Sequence, residues 1–252
     1  MPAPNVDMVF VIDASESMRP CFEGLRKNIK SLINPMQGYI SRMRFGVVTH
    51  SIVTYLEGGY GYQMAIFAAP NNSTNCLGSH YFQAMSNDAL FSDNINELIQ
   101  FLDKISPNGD EDSLLALDCA LDFPFGPVSN TKRIVALFSD EPFETGVFKH
   151  HYPSKIPDLI DKIHARHIQL YVAMPDGPTV QLLAEANGSE VELIQGSDGL
   201  ASVDFHMLLG QMGKSISASM IQATGEGQYT RALFGQNRFV ESQSRFAFVE
   251  NK

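Results

Sequence analysis

Basic residues are scarce in this chain. Its 18 Lys and Arg face 28 Asp and Glu, a formal net charge of -10 and an isoelectric point near 5.1. So acidic a protein argues against nucleic acid and anionic membranes as main partners, and weakly favours cations and basic or neutral partners. Cysteine is almost missing. Cys21, Cys76 and Cys119 are odd in number and widely spaced, with no CxxC. That excludes a disulfide framework and fits a reducing compartment. Long apolar runs are absent too, and none approaches membrane-spanning length. The opening "MPAPNVD" has no basic n-region, and the run Met8 to Ile12 is too short for a signal-peptide core. The expectation is a soluble, cytoplasmic protein. Finally, no GxGxxG follows the first apolar run, which sets aside a dinucleotide-binding enzyme.

What the chain does have is core. Of its 252 residues 44% are hydrophobic and 18% charged, enough for one large domain or a domain with an appendage. Met8 to Ile12 is continuously apolar with β-branched and aromatic members, the pattern of a strand buried on both faces of a parallel sheet. Phe22, Leu25, Ile29 and Leu32 recur at helical spacing, and Pro35 ends that helix near Asn34. "RFGVVTHSI" (44–52) reads as a second strand and "YQMAIFAA" (62–69) as a third, joined as a hairpin through "EGGYG". Residues 70–92 are weakly patterned and read as an insertion. Ser92 or Asp93 is placed to cap a helix carrying Ile95, Leu98, Leu102 and Ile105.

The second half alternates. A helix through Leu114, Leu117 and Leu121 precedes the strand "RIVALFSD" (133–140). A helix around Leu159 to Ala165 leads into "IQLYVAMP" (168–175), and one around Val180 to Ala186 into "EVELI" (190–194). A last helix covers about Phe205 to Ile216. Strands alternating with helices predict an α/β fold. The expected form is doubly wound, with a mostly parallel central sheet, helices on both faces and one antiparallel edge strand. The expected domain spans 1–217, with the insertion near 70–92. Residues 218–252 lack periodicity and read as a tail or a partner-docking segment.

Two strands end on an aspartate, Asp13 and Asp140. Ligands of open α/β sheets bind outside the carboxyl ends of the strands, at the switch point. If the two strands are neighbours, two carboxylates converge there and repel unless a cation neutralises them. Ser15 and Ser17 follow Asp13 at alternate positions. In an extended turn all three can present oxygen to one point, a hard-oxygen set that suits Mg2+. Taken alone, D-x-S-x-S would serve as a helix N-cap, with Ser17 capping the first helix. Glu141, Pro142 and Glu144 then form either the rim of the site or a plain surface turn.

The D-x-S-x-S of Asp13, Ser15 and Ser17 after an apolar strand resembles the metal-ion-dependent adhesion site of von Willebrand factor A-like domains. "RFGVVTHSI" is similar to that family's second strand. "RIVALFSDEPFETG" resembles its fourth-strand motif, with Asp140 as the second acidic metal residue. The resemblance covers about residues 6 to 217. It departs at the third motif, where the family usually supplies a threonine. "NGDEDSLLALDCAL" (108–121) is similar to a variant with an acidic residue after the glycines. That places a ligand at Asp110, with Glu111, Asp112 and Ser113 as alternatives. An extra carboxylate there would favour binding of a bare cation and weaken its pull on an acidic partner.

The resemblance implies a stand-alone intracellular module that binds Mg2+, or Mn2+ or Ca2+, and uses the ion to bridge to a carboxylate of a partner protein. It implies an adaptor or regulator without enzymatic activity. Modules of this kind resemble adaptors of AAA-type ATPases or members of kinase and phosphatase systems. Two other readings stand beside it. One is a metal-free scaffold of the same fold, left open by the altered 108–113 loop. The other is a haloacid-dehalogenase-like phosphatase, which uses D-x-D with the second Asp as acid/base, where this chain has Ser15.

Overall fold

The computed structural model describes residues 3–36, 38–54, 60–68, 72–75, 90–109, 113–145, 152–184, 190–194 and 203–223. Among these, seven strands form one sheet: β1 (Asn5–Asp13), β2 (Arg42–Thr54), β3 (Tyr60–Ala68), β4 (Asn72–Asn75), β5 (Thr131–Phe138), β6 (Ile168–Pro175) and β7 (Glu190–Ile194). Six α-helices accompany them: α1 (Arg19–Ile33), α2 (Ile95–Leu102), α3 (Ser113–Leu121), α4 (Tyr152–Ala165), α5 (Pro178–Ala184) and α6 (Phe205–Ala223).

The strand order is β4-β3-β2-β1-β5-β6-β7. β1 is central and pairs in parallel with β2 on one side and β5 on the other. β6 and β7 continue the parallel sheet. The chain therefore winds outward from β1 in two directions, and the crevice between the ends of β1 and β5 is the switch point where such folds bind ligands. This is the doubly wound α/β architecture expected from the sequence. The hairpin strand β3 pairs antiparallel with β2, but it is not the edge: β4, within the presumed insertion, pairs antiparallel with β3 and takes that place. Four polar residues, Asn72 to Asn75, carry no periodicity from which a strand could be read, and a neighbouring edge recruited them. The insertion's end is also anchored, through backbone hydrogen bonds in both directions between Phe45 and Ser92.

The residues of β1 divide alternately between two cores. Val9 and Val11 join Val48, Val135, Leu137 and the buried faces of α3, α4 and α5. Met8, Phe10 and Ile12 join Phe45, Ala136, Phe138 and the faces of α1, α2 and α6. Period-2 alternation with both faces apolar produces the continuous run seen in the sequence. α1 and α6 approach closely at Gly213, where a methyl group would clash with the Leu32 carbonyl oxygen. α6 runs on through Ala223, so residues 218–223, read from sequence as tail, are helical. The rest of the tail lies outside the described residues. The cap of α2 is Asn94 rather than Ser92 or Asp93. Its side chain accepts a hydrogen bond from the Asn96 N–H, while the Ser92 hydroxyl reaches Glu97. No helix among the described residues is long and apolar enough to cross a membrane.

β1 also begins on a buried carboxylate. Asp7 is 1% exposed and accepts two hydrogen bonds from Arg44, Nε to Oδ1 at 2.7 Å and Nη2 to Oδ2 at 2.6 Å, and a third from the Gly126 N–H. The Arg44 guanidinium lies 4.6 Å from the Phe91 ring centroid. Removing one partner of such a pair strands the other, at a cost of about 3–5 kcal/mol. Asp7→Ala is expected to lose that much in urea unfolding; a loss below about 1 kcal/mol would show that the pair is not a structural anchor.

Candidate metal centre

Asp13 ends β1 with no exposed surface. Its Oδ1 accepts a hydrogen bond from the Ser15 N–H at 2.8 Å, which turns the chain out of the strand. Its Oδ2 accepts one from the Ser139 hydroxyl at 2.8 Å. Ser139 follows β5, and its Oγ also accepts from the Glu141 N–H at 3.3 Å. Neighbouring strands thus hold the carboxylate from below, as the β1–β5 pairing requires. Burial pushes the Asp13 carboxyl up to about 7, and the charge of Asp140 pushes the same way, against the hydrogen bonds from Ser15 and Ser139. No basic side chain among the described residues forms an ion pair with it.

Asp140 lies two residues beyond β5 rather than in it. One carboxylate oxygen, Oδ1, is buried without a hydrogen-bond partner among the described residues. An orphaned carboxylate oxygen is costly, and here it stands near a second carboxylate. The helix-cap alternative for the serines is not what the chain adopts. The N-cap of α1 is Met18, with no side-chain cap, and the Ser15 and Ser17 hydroxyls lie 3.0 Å from each other. Two hydroxyls from alternate positions of the turn are thus gathered on the same loop as Asp13. Cys21, at the start of α1, has its thiol pushed up to about 12 by burial, then by the charges of Asp140 and Asp13. It stays a protonated thiol near the site rather than a thiolate ligand.

The loop before α3 is docked on this turn. The Asn108 N–H donates to the Ala14 carbonyl at 2.8 Å, the Glu16 N–H to the Gly109 carbonyl at 3.3 Å, and Arg19 Nη2 to the Pro107 carbonyl at 3.2 Å. Gly109 takes φ +73°, where glycine is favoured. Asp110, Glu111 and Asp112 follow immediately but lie outside the described residues. Ser113 is buried at the first position of α3.

Of the expected ligands, then, Asp13, Ser15, Ser17 and Asp140 come together at the switch point, and the chain leading to Asp110 is tied to the same turn. Among the described residues no three His, Cys, Asp or Glu side chains gather closely enough to hold an ion. A cation here would rest on two carboxylates, hydroxyls and water, a donor set that fits Mg2+, Mn2+ or Ca2+ rather than a soft metal. Two neighbours escaped sequence reading. Ser139 was hidden inside "FSD". His50 stood between Thr49 and Ser51 in "RFGVVTHSI" as a titratable residue late in a strand, which was the available signal. Glu144, read as rim or surface turn, is tied to the start of α5: its Oε1 accepts a hydrogen bond from the Thr179 N–H at 2.7 Å.

His50 is buried, and burial pushes its imidazole down to about 3. The two shifts oppose each other. A carboxyl raised from 3.8 to about 7 destabilises the fold as pH rises through that window. A histidine lowered from 6.5 to about 3 destabilises it as pH falls through nearly the same window. Each effect is about 5 kcal/mol at most. In thermal melts of metal-stripped protein, Asp13→Asn should gain stability over wild type as pH rises from 4.5 to 7.5. His50→Leu should gain over wild type as pH falls across the same range. Curves parallel to wild type would contradict both assignments.

No protein-family profile matches the chain, and no curated protein matches it. Solved structures do resemble it. One is a von Willebrand factor type A protein from Catenulispora acidiphila, 16% identical over 84% of this chain and 43% of that one, with a TM-score of 0.47. Another is the pilus adhesin SpaC from Lactobacillus rhamnosus GG in its open conformation, 13% identical over 87% of this chain and 31% of that one, with a TM-score of 0.49. This chain spans less than half the length of either. The architecture itself stands on the strand order and register described above.

Proposed function

We propose that this chain is a divalent-cation-dependent protein-binding module, an adaptor or regulator rather than an enzyme. Asp13, Ser15, Ser17 and Asp140, with Asp110 or one of Glu111, Asp112 and Ser113, would hold Mg2+, Mn2+ or Ca2+. The bound ion would supply a positive charge with room for one more ligand, a carboxylate of a partner protein. The observation that carries this reading is a contrast within one strand. β1 has a buried carboxylate near each end. Asp7 is neutralised by Arg44; Asp13, equally buried, has no basic partner among the described residues and faces a second carboxylate instead. A cation from outside the chain would complete it as Arg44 completes Asp7.

Charge supports the same reading. A protein of net charge -10 repels an acidic partner unless a cation lies between them. The Ser15 and Ser17 hydroxyls lie 3.0 Å from each other, and the Ser15 side chain also hydrogen-bonds the Asp13 carboxylate, a grouping of oxygens that suits ligands of one ion. Ser15 stands where a haloacid-dehalogenase-like phosphatase needs its second aspartate, so phosphoester turnover is not expected.

Thermal melting tests the reading. At a metal concentration 100-fold above Kd, binding adds about 2.7 kcal/mol, equivalent to roughly 5–10 °C for a domain of this size. Wild type should rise by that order with Mg2+ or Mn2+ over EDTA, and Asp13→Ala should not respond. No rise with either metal would leave a metal-free scaffold. Hydrolysis of a generic phosphoester, lost in Asp13→Ala, would favour the enzyme.

A further inference from the structure

β1 and β2 pair in register, and Asp13 lies directly opposite His50. Side chains alternate along each strand. Val11 and Val48 belong to the same core cluster, so Asp13 and His50, each two residues further on, project to that same face. Adjacent strands run about 4.8 Å apart. Asp13 is therefore flanked on one side by Ser139, which hydrogen-bonds it, and on the other by His50. His50 is 1% exposed, and neither of its ring nitrogens has a hydrogen-bond partner among the described residues.

A neutral imidazole offers one N–H donor and one acceptor nitrogen. Burying such groups unsatisfied costs about 1–3 kcal/mol each, and a leucine or phenylalanine would fill the position without that penalty. The demand for a polar partner thus points at something the described residues do not supply. The unpartnered Asp140 Oδ1 lies two residues beyond β5, and the Ser15 and Ser17 hydroxyls lie in the turn that follows β1. Among the described residues no three His, Cys, Asp or Glu side chains gather to hold an ion, so His50 does not close an inner shell together with Asp13 and Asp140. Hard divalent cations keep bound waters, and groups that hydrogen-bond the inner shell tune affinity.

We infer that His50 is a positioning residue of this site, its unprotonated ring nitrogen accepting a hydrogen bond from a water on the bound cation. The inference rests on the cation-site reading above. It extends the site to β2, so that all three strands meeting at the switch point contribute. It also gives a reason for a buried histidine in β2: its unfavourable burial is offset once the ion and its water are present.

The test uses the full chain at pH 7.5 with Mg2+ alone as the probe. Isothermal titration is run on wild type, Asp13→Ala, His50→Leu and His50→Gln. Melting is measured in EDTA, and 15N shifts of the histidine rings are followed with and without Mg2+. His50→Leu should bind Mg2+ at least about 10-fold more weakly, yet melt in EDTA no lower than wild type, because an orphaned polar group has been replaced by an apolar one. A merely structural histidine would give the reverse. His50→Gln, which retains an acceptor, should stay within a few-fold of wild type. One ring nitrogen of His50 should shift on Mg2+ addition. If wild type binds Mg2+ and Asp13→Ala does not, while His50→Leu binds as tightly as wild type and the His50 nitrogens do not move, the role of His50 is overturned and the cation site stands. If wild type itself binds no Mg2+, both fall.

Discussion

A carboxylate buried at the end of the central strand is the constraint on which this site depends. Asp13 has strands on both flanks and no exposed surface, so its charge cannot be left to water. The chain meets part of that demand locally, through the Ser15 N–H and the Ser139 hydroxyl. It then adds Asp140, whose charge makes the problem worse. Structure built only for stability would not place a second carboxylate there. At the opposite end of the same strand the chain shows that it can solve the problem internally, with Arg44 fixed by two hydrogen bonds to Asp7. One end of β1 is closed and the other is left incomplete.

That asymmetry follows from the topology. β1 lies between strands that wind away in opposite directions, so the loops at its carboxyl end diverge and leave a crevice. The β1–α1 turn and the loop before α3 fill its walls, held to each other by backbone hydrogen bonds from Asn108 and Glu16. The sheet beneath is packed on both faces by helices, giving a rigid base for groups that must converge on one point. Stability is drawn from the cores and the Asp7 anchor, and some of it is given up at the crevice, where Asp140 Oδ1 and both His50 nitrogens lack partners among the described residues.

Much of this could be read before any coordinates. Continuous apolar runs ending on Asp13 and on Asp140 gave the strands and the convergence, because burial on both faces and a polar stop are local signals. Helical spacing in α1 likewise placed Phe22, Leu25, Ile29 and Leu32 on the buried face. What escaped depended on partners distant in sequence. β4 is a strand only because β3 lies beside it. Ser139 matters only because β5 lies against β1. His50 means little as a letter in "VVTHSI" and becomes significant when the register sets it opposite Asp13. The choice among Asp110, Glu111, Asp112 and Ser113 turns on a loop of which the structure describes only the two ends.

Crystals soaked in Mn2+ would test the central claim most directly, through an anomalous difference map. A single strong peak is expected at the carboxyl ends of β1 and β5, within bonding distance of oxygens from Ser15, Ser17 and at least one of Asp13 and Asp140, and it should vanish in Asp13→Ala crystals. A map without density at that point at saturating Mn2+, or a peak that persists in the variant, would contradict a cation centre built on Asp13.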